Sequence, residues 1–310
     1  MARSILKELT RERAPLAPEG IKAAAADTAA RLPALLLAAE RIAATIEQGV
    51  HGRRRTGPGE VFWQYRSYSP GDELRRLDWR ASAKSDRLYL RQLEWSASQS
   101  VYLWCDLSPS MDYASRGDLP AKGERALVLT LALAAVLVRA GERVGLLGHA
   151  ERPRTGRHAV EQLAERLLLM SPAARQESLP PQGDIPAHAH AVLVSDFLTP
   201  LEDLSSVIGR LAHRGVHGHL LQVLDPAEMA MPFKGRVRFL GAENEGELLM
   251  SRAEHVREQY VTRLAQHQAG IRDLARHARW SVSEHVTDGS AAGALLQVYQ
   301  WLAADRRLRR

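Results

Sequence analysis

The sequence predicts an α/β fold: a mostly parallel sheet with helices on both faces, preceded by a β-rich basic element and N-terminal helices. Three observations carry this. From Ser100 onward, short apolar runs alternate with stretches of helical spacing. Those runs are apolar throughout rather than on alternate residues, as strands covered on both faces must be. Residues 51–98 differ in character, with a Gly/Arg-rich start followed by aromatic and β-branched runs.

Residues 16–49 are Ala/Leu-rich with helical spacing, and Pro33 starts a second helix at its first turn. Gly49 and Gly52 close it. HGRRRTGPGE, residues 51–60, has no apolar residue to pack and reads as a loop. VFWQYRSY is a strand, SPGD a turn, and Asp72 is placed to cap a short helix over ELRRLDW. RLYLRQLEW, residues 87–95, is a second strand. The core then runs SVYLW, a helix over 124–140, RVGLL, a helix over 157–170, AVLVS, a helix over 201–213 introduced by Thr199-Pro200, and HLLQVL. Short strands RVRFL and ELLMS, a long charged helix over 252–278, the strand WSVSEHV and a helix over 291–303 complete it. The resulting division is 1–50, an N-terminal helical extension; 51–98, the basic element; and 99–310, the α/β domain.

Composition narrows the function classes. With 310 residues, 45% of them hydrophobic and 25% charged, the chain supports a large core. A single cysteine excludes a disulfide framework, and Cys105 within an apolar run reads as a buried thiol. The start, MARSILKELTRERAP, lacks the apolar stretch of a signal peptide. The apolar run 126–138 is thirteen residues between Arg125 and Arg139, short of the roughly 20 that span a bilayer. The expectation is a soluble, cytoplasmic protein. The net charge is +6, and Arg53 to Arg91 hold ten Lys or Arg against five Asp or Glu, a local +5. A patch so localised suits an acidic partner surface or nucleic acid.

The chemistry concentrates at strand ends. CDLSPSM follows the strand SVYLW and presents Asp106, Ser108 and Ser110 with one residue between each pair. Such a string makes a turn, a helix cap or half of a cation site. Asp196 ends a later strand in VSDFLTP, and ligands of open α/β sheets bind beyond the carboxyl ends of strands. If the two strands are neighbours, both carboxylates and both serines converge. Thr155, in RPRTGRH, is a candidate for a third loop, although Thr before a helix is also a common cap. Hydroxyl and carboxylate oxygens of this kind suit a divalent cation, Mg or Mn; Mg²⁺ takes oxygen ligands at about 2.0–2.1 Å.

These residues carry a resemblance. Strand, D-x-S-x-S-M, helix, V-G-L-L and a distant strand ending in S-D look like a von Willebrand factor A-like domain with its metal-ion-dependent adhesion site (MIDAS). RSYSPGDELRRLDWRASAKSDRLYLRQLE resembles the signature of the domain of unknown function 58 (DUF58) family, over roughly residues 50–225. The resemblance implies that Asp106, Ser108 and Ser110 form the first metal loop, that Asp196 is the distal aspartate and that Thr155 is the best match for the threonine. Phe197 departs from it, since many A-like domains place glycine there. The resemblance further implies an adaptor or co-chaperone that works with a MoxR-type AAA+ ATPase and a client protein, with the ion open to a partner's carboxylate. ATP chemistry would belong to that partner, because this chain has no G-x-x-x-x-G-K-[ST] loop.

The basic residues Arg53, Arg54, Arg55, Arg75, Arg76, Arg80, Lys84, Arg87 and Arg91 are the candidates for docking an acidic face, or for a solvated, internally paired surface. Trp63, Tyr65, Tyr68 and Trp79 among them open the alternative of nucleic-acid stacking, although their spacing along strands fits core packing better. His188, His190, His213, His217 and His219 lack recognised zinc spacing, and the last three cross from a helix into a strand. A metal-assisted hydrolase is chemically open through Asp106 and Asp196, but no general base is identifiable. The expectation is a protein that is not an enzyme.

Overall fold

The computed structural model describes residues 33–34, 36–46, 62–68, 77–84, 87–93, 99–170, 174–241 and 246–308. A helix, α1, covers 36–46. Strands β1 (Phe62–Ser67) and β2 (Tyr89–Leu93) form an antiparallel pair with a register shift between Phe62 and Gln64. Between them lies a single turn of helix, α2 (Trp79–Ser82). Its cap is Asp78, whose Oδ1 accepts from the Arg80 N–H at 3.1 Å. The expected Asp72 cap falls outside the described residues.

The domain then follows the alternation that the sequence predicts: β3 (Ser100–Cys105), α3 (Lys122–Arg139), β4 (Arg143–Leu146), α4 (Arg157–Leu168), β5 (His190–Ser195), α5 (Leu201–His213) and β6 (His217–Leu224). A short helix α6 (Pro226–Ala230) comes next, then the hairpin β7 (Val237–Leu240) and β8 (Glu247–Met250). Helix α7 (Arg257–His277), β9 (Ser281–Val286) and α8 (Ala291–Leu308) close the chain. The main sheet has five strands in the order β4-β3-β5-β6-β9, every pair parallel. Among the described residues, strands β7 and β8 pair only with each other, outside that sheet.

The pleat divides the core in two. Val101, Leu103 and Cys105 face one side with Val192, Val194, Leu221 and Val223, beneath α3, α4 and α8. Tyr102, Trp104, Ala191, Leu193 and Leu220 face the other, beneath α5 and α7. Helix α5 shows the logic well: Leu204, Val207, Ile208 and Leu211 recur at helical spacing and are its buried residues. Ala39, Ala43 and Ile46 of α1 join the first of these clusters, so this helix packs on the α/β domain. Cys105 is buried there, and burial pushes its thiol up to about 12. Gly218 of β6 lies where a Cβ would fall 2.0 Å from the Trp280 ring, so only glycine fits beside that indole.

At the amino end of the sheet, three of the histidines gather under Trp301. The His190 and His217 rings are 5.8 Å apart, and His219 stacks obliquely on Trp301 at 5.2 Å. The His219 Nδ1 and Nε2 lie 2.6 and 2.7 Å from the Ser281 and Ser283 hydroxyls. This ring is neutral, because burial depresses it to about 4. The unfolded chain takes up the proton first, so the stabilisation is full above about pH 6.5 and is lost as pH falls towards 4, by ~3 kcal/mol in total. Urea unfolding across that range should show acid lability, and His219→Gln should release about one proton's worth of the pH slope.

Candidate functional site

Strand order decides where a ligand face can form. The chain leaves β3 for β4 on one side and then crosses to β5 on the other, so the order reverses between β3 and β5. Cys105 is in register with Val194, which places Asp106 level with Ser195 at the carboxyl ends of both strands. A crevice at that reversal is the usual ligand position in such sheets.

Asp106 is fully buried and its carboxylate is engaged at both oxygens. Oδ1 accepts from the Ser108 N–H at 2.8 Å, and Oδ2 accepts from the Ser195 hydroxyl at 2.6 Å. Ser195 Oγ in turn accepts from the Phe197 N–H at 3.0 Å. The Ser108 and Ser110 hydroxyls lie 3.1 Å apart. Burial raises the Asp106 carboxyl above the usual range, the Ser195 and Ser108 hydrogen bonds pull it back, and the Asp196 charge adds to the rise. Phe197 is buried with φ 49°, in the left-handed region. The loop therefore requires the conformation that favours glycine, and the ring offsets the strain by filling the core under α5 and α7.

Asp196 is the second focus, and its partner is one that the sequence analysis did not single out. The Lys122 ammonium, on the first turn of α3, donates to Asp196 Oδ2 at 2.7 Å and to Glu228 Oε1 at 2.5 Å. The Lys122 side chain is 1% exposed and that of Asp196 3%. Asp196 Oδ1 accepts from the Leu198 N–H at 3.1 Å, and the Asp196 carbonyl accepts from Gln222 Nε2 at 2.7 Å. Glu228 Oε2 accepts from the Asp225 N–H at 2.9 Å, and Asp225 Oδ1 from the Ala227 N–H at 2.7 Å, which makes a capping box for α6. Asp225 Oδ2 accepts from the Ser115 N–H, tying α6 to the loop after β3. Burial alone would lower the lysine, but the Asp196 and Glu228 charges and hydrogen bonds outweigh it and hold the ammonium above its ordinary value.

The D-x-S-x-S oxygens and Asp196 thus gather at one end of the sheet, but Thr155 does not. Arg154 and Val144 exchange backbone hydrogen bonds in an antiparallel bridge, and Val144 is in register with Val101 near the start of β3. Thr155 continues towards the amino edge, so more than about 16 Å of strand separates its level from Asp106. Its assignment as a ligand is corrected on that ground. Of the remaining candidates, the carboxylates are already engaged. Both Asp106 oxygens and both Asp196 oxygens already accept hydrogen bonds, one from an ammonium that would repel the ion. Among the described residues no group of three or more His, Cys, Asp or Glu is gathered for a metal.

Comparison with known proteins gives the family. The family described as "Protein of unknown function DUF58" matches residues 64–270. The chain belongs to the DUF58 family. Two uncharacterized proteins, one from Mycobacterium bovis and one from Mycobacterium tuberculosis, are each 26% identical over 264 residues, covering 81% of this chain and 81% of their own. Among solved structures, the conserved hypothetical protein BatB from Bacteroides thetaiotaomicron aligns with TM-score 0.38 and 18% identity, over 67% of this chain and 100% of its own.

In this DUF58 protein the basic candidates are only partly in view. Arg53, Arg54, Arg55, Arg75 and Arg76 lie outside the described residues. Arg80, Lys84 and Arg87 are exposed, and Arg91 stands in β2 opposite Tyr65. Trp79, expected in a core, is 67% exposed beside Arg80. No described helix is long and apolar enough to cross a membrane.

The hydrogen-bond pattern separates the two kinds of serine. Ser195→Ala removes the donor to Asp106 Oδ2 and should cost about 1–3 kcal/mol in urea unfolding, because a buried carboxylate oxygen is left unsatisfied. Ser110→Ala, at a half-buried hydroxyl that meets Ser108, should cost less than about 1 kcal/mol.

Proposed function

We propose that the protein is a non-enzymatic interaction module, an adaptor or co-chaperone that joins a MoxR-type AAA+ ATPase to a client protein. The observation that carries this reading is the inward commitment of the strand-end carboxylates. Asp106 and Asp196 are buried and spend their oxygens on intramolecular hydrogen bonds, so neither is free to activate water.

The surface around them has the character of a docking face. Leu198, two residues after Asp196, is 41% exposed, and Leu107 follows Asp106. Leu107 also lines a cavity of about 760 Å³ with Trp104, Met170 and the 58%-exposed Leu169. Apolar side chains around a polar, rigid centre suit a protein partner. The basic element supplies a second contact, with exposed Trp79 as an anchor among Arg80, Lys84 and Arg87 and an acidic face of the ATPase opposite.

The test is capture of a purified MoxR-type ATPase by the full chain. Leu198→Glu should weaken capture at least tenfold with an unchanged melting temperature. The triple change Arg80→Glu, Lys84→Glu and Arg87→Glu should remove its salt dependence. Capture of single-stranded nucleic acid instead, steeply salt-sensitive and lost with Trp79→Ala, would transfer the basic element to the nucleic-acid reading.

A further inference from the structure

One ammonium joins three loops at the carboxyl end of the sheet. Lys122 opens α3, directly after the loop that carries Asp106, Ser108 and Ser110, and its backbone N–H donates to the Tyr113 carbonyl at 3.1 Å. Its Nζ reaches Asp196 in the loop after β5 at 2.7 Å, and Glu228 on α6 after β6 at 2.5 Å. These are the positions from which a doubly wound sheet would bring oxygen ligands to a bound ion. We propose that Lys122 is the resident cation of this site, so that the carboxyl-end face is assembled, and meets its partner, without a divalent metal.

The charges support this assignment. Without the lysine, Asp196 would be an uncompensated buried carboxylate and Glu228 a partly buried one, and buried charges persist only when paired. A dication held by Asp196 would have to stand beside the ammonium or displace it. Displacement from Asp196 leaves the ammonium with Glu228 alone, in a place where its side chain is 1% exposed. A tethered ammonium also needs no free ligand to hold its place, whereas a metal's occupancy depends on its concentration.

The substitution changes what the face can recognise. An ion with an open coordination position draws a partner's carboxylate, but the Lys122 ammonium is buried and already bonded to two carboxylates of its own chain. Recognition then falls to the outer groups: Leu107, Ser110 and Leu198. The partner segment that fits them is apolar and hydrogen-bonding, and needs no acidic residue at its centre. This last step rests on the docking reading above; the identity of the cation does not.

The experiment uses the full chain, stripped with EDTA and dialysed. Mn²⁺ is titrated in while the free ion is read by its electron paramagnetic resonance signal. In the wild type the free signal should track total Mn²⁺ up to about 1 mM, and melting temperatures in EDTA and in excess Mg²⁺ should agree within about 1 °C. Lys122→Met should melt at least about 5 °C lower than the wild type. Uptake of one Mn²⁺ per chain by the wild type, abolished in Ser108→Ala/Ser110→Ala, would overturn the proposal. A Lys122→Met protein as stable as the wild type would do the same. Neither result bears on ATPase capture by Leu198→Glu, so the two readings fail separately.

Discussion

The carboxyl end of this sheet depends on a single buried cation. Lys122 sits on the first turn of α3, where the helix dipole disfavours positive charge, and no solvent reaches its ammonium. Both costs are offset by two carboxylates, the buried one of Asp196 and the partly buried one of Glu228. Truncating one partner of such a group typically costs about 3–5 kcal/mol, because the remaining charge stays buried. The same turn of α3 adds a second tie, from Arg125 Nη2 to the Thr287 carbonyl after β9. Gly123 between them allows the close approach, since a Cβ there would fall 3.3 Å from the Met111 carbonyl oxygen.

The geometry elsewhere follows from strand order. Because the chain reverses direction across the sheet between β3 and β5, Asp106 and Asp196 are brought to one crevice from positions 90 apart in the sequence. Ser195 links them: its hydroxyl donates to Asp106 while accepting from the backbone of the Asp196 loop. The result is a polar centre with its charges satisfied internally and leucines at its margin. On the proposed reading that centre serves recognition rather than bond-breaking, which needs a group free to take or give a proton.

Most of the α/β domain was legible because buried parallel strands are apolar at every position and helices show their own period; helix 201–213 has the expected bounds. The D-x-S-x-S loop was legible for a related reason, since hydroxyls and a carboxylate directly after a buried strand stand out. Lys122 was not. A lysine at the start of an apolar helix reads as solvated, and its partner Glu228 lies on α6, a five-residue helix that the hydrophobic pattern does not mark. Thr155 failed through chain direction: the segment after β4 turns back and bridges Val144, which a strand-helix alternation does not reveal. Trp79 failed because aromatic spacing in the basic element suggested packing, whereas the residue lies on a one-turn helix with its ring outward.

The central claim is that Lys122 and Asp196 act as one electrostatic unit that holds the loops of this face. A double-mutant cycle measures that directly, with urea unfolding of the wild type, Lys122→Met, Asp196→Asn and the double variant at pH 7. The account predicts a coupling of about 2 kcal/mol or more, with the double variant less destabilised than the sum of the single ones. Effects that add within about 0.5 kcal/mol would contradict it, and would reduce the buried ammonium to a neighbour of the site rather than its keystone.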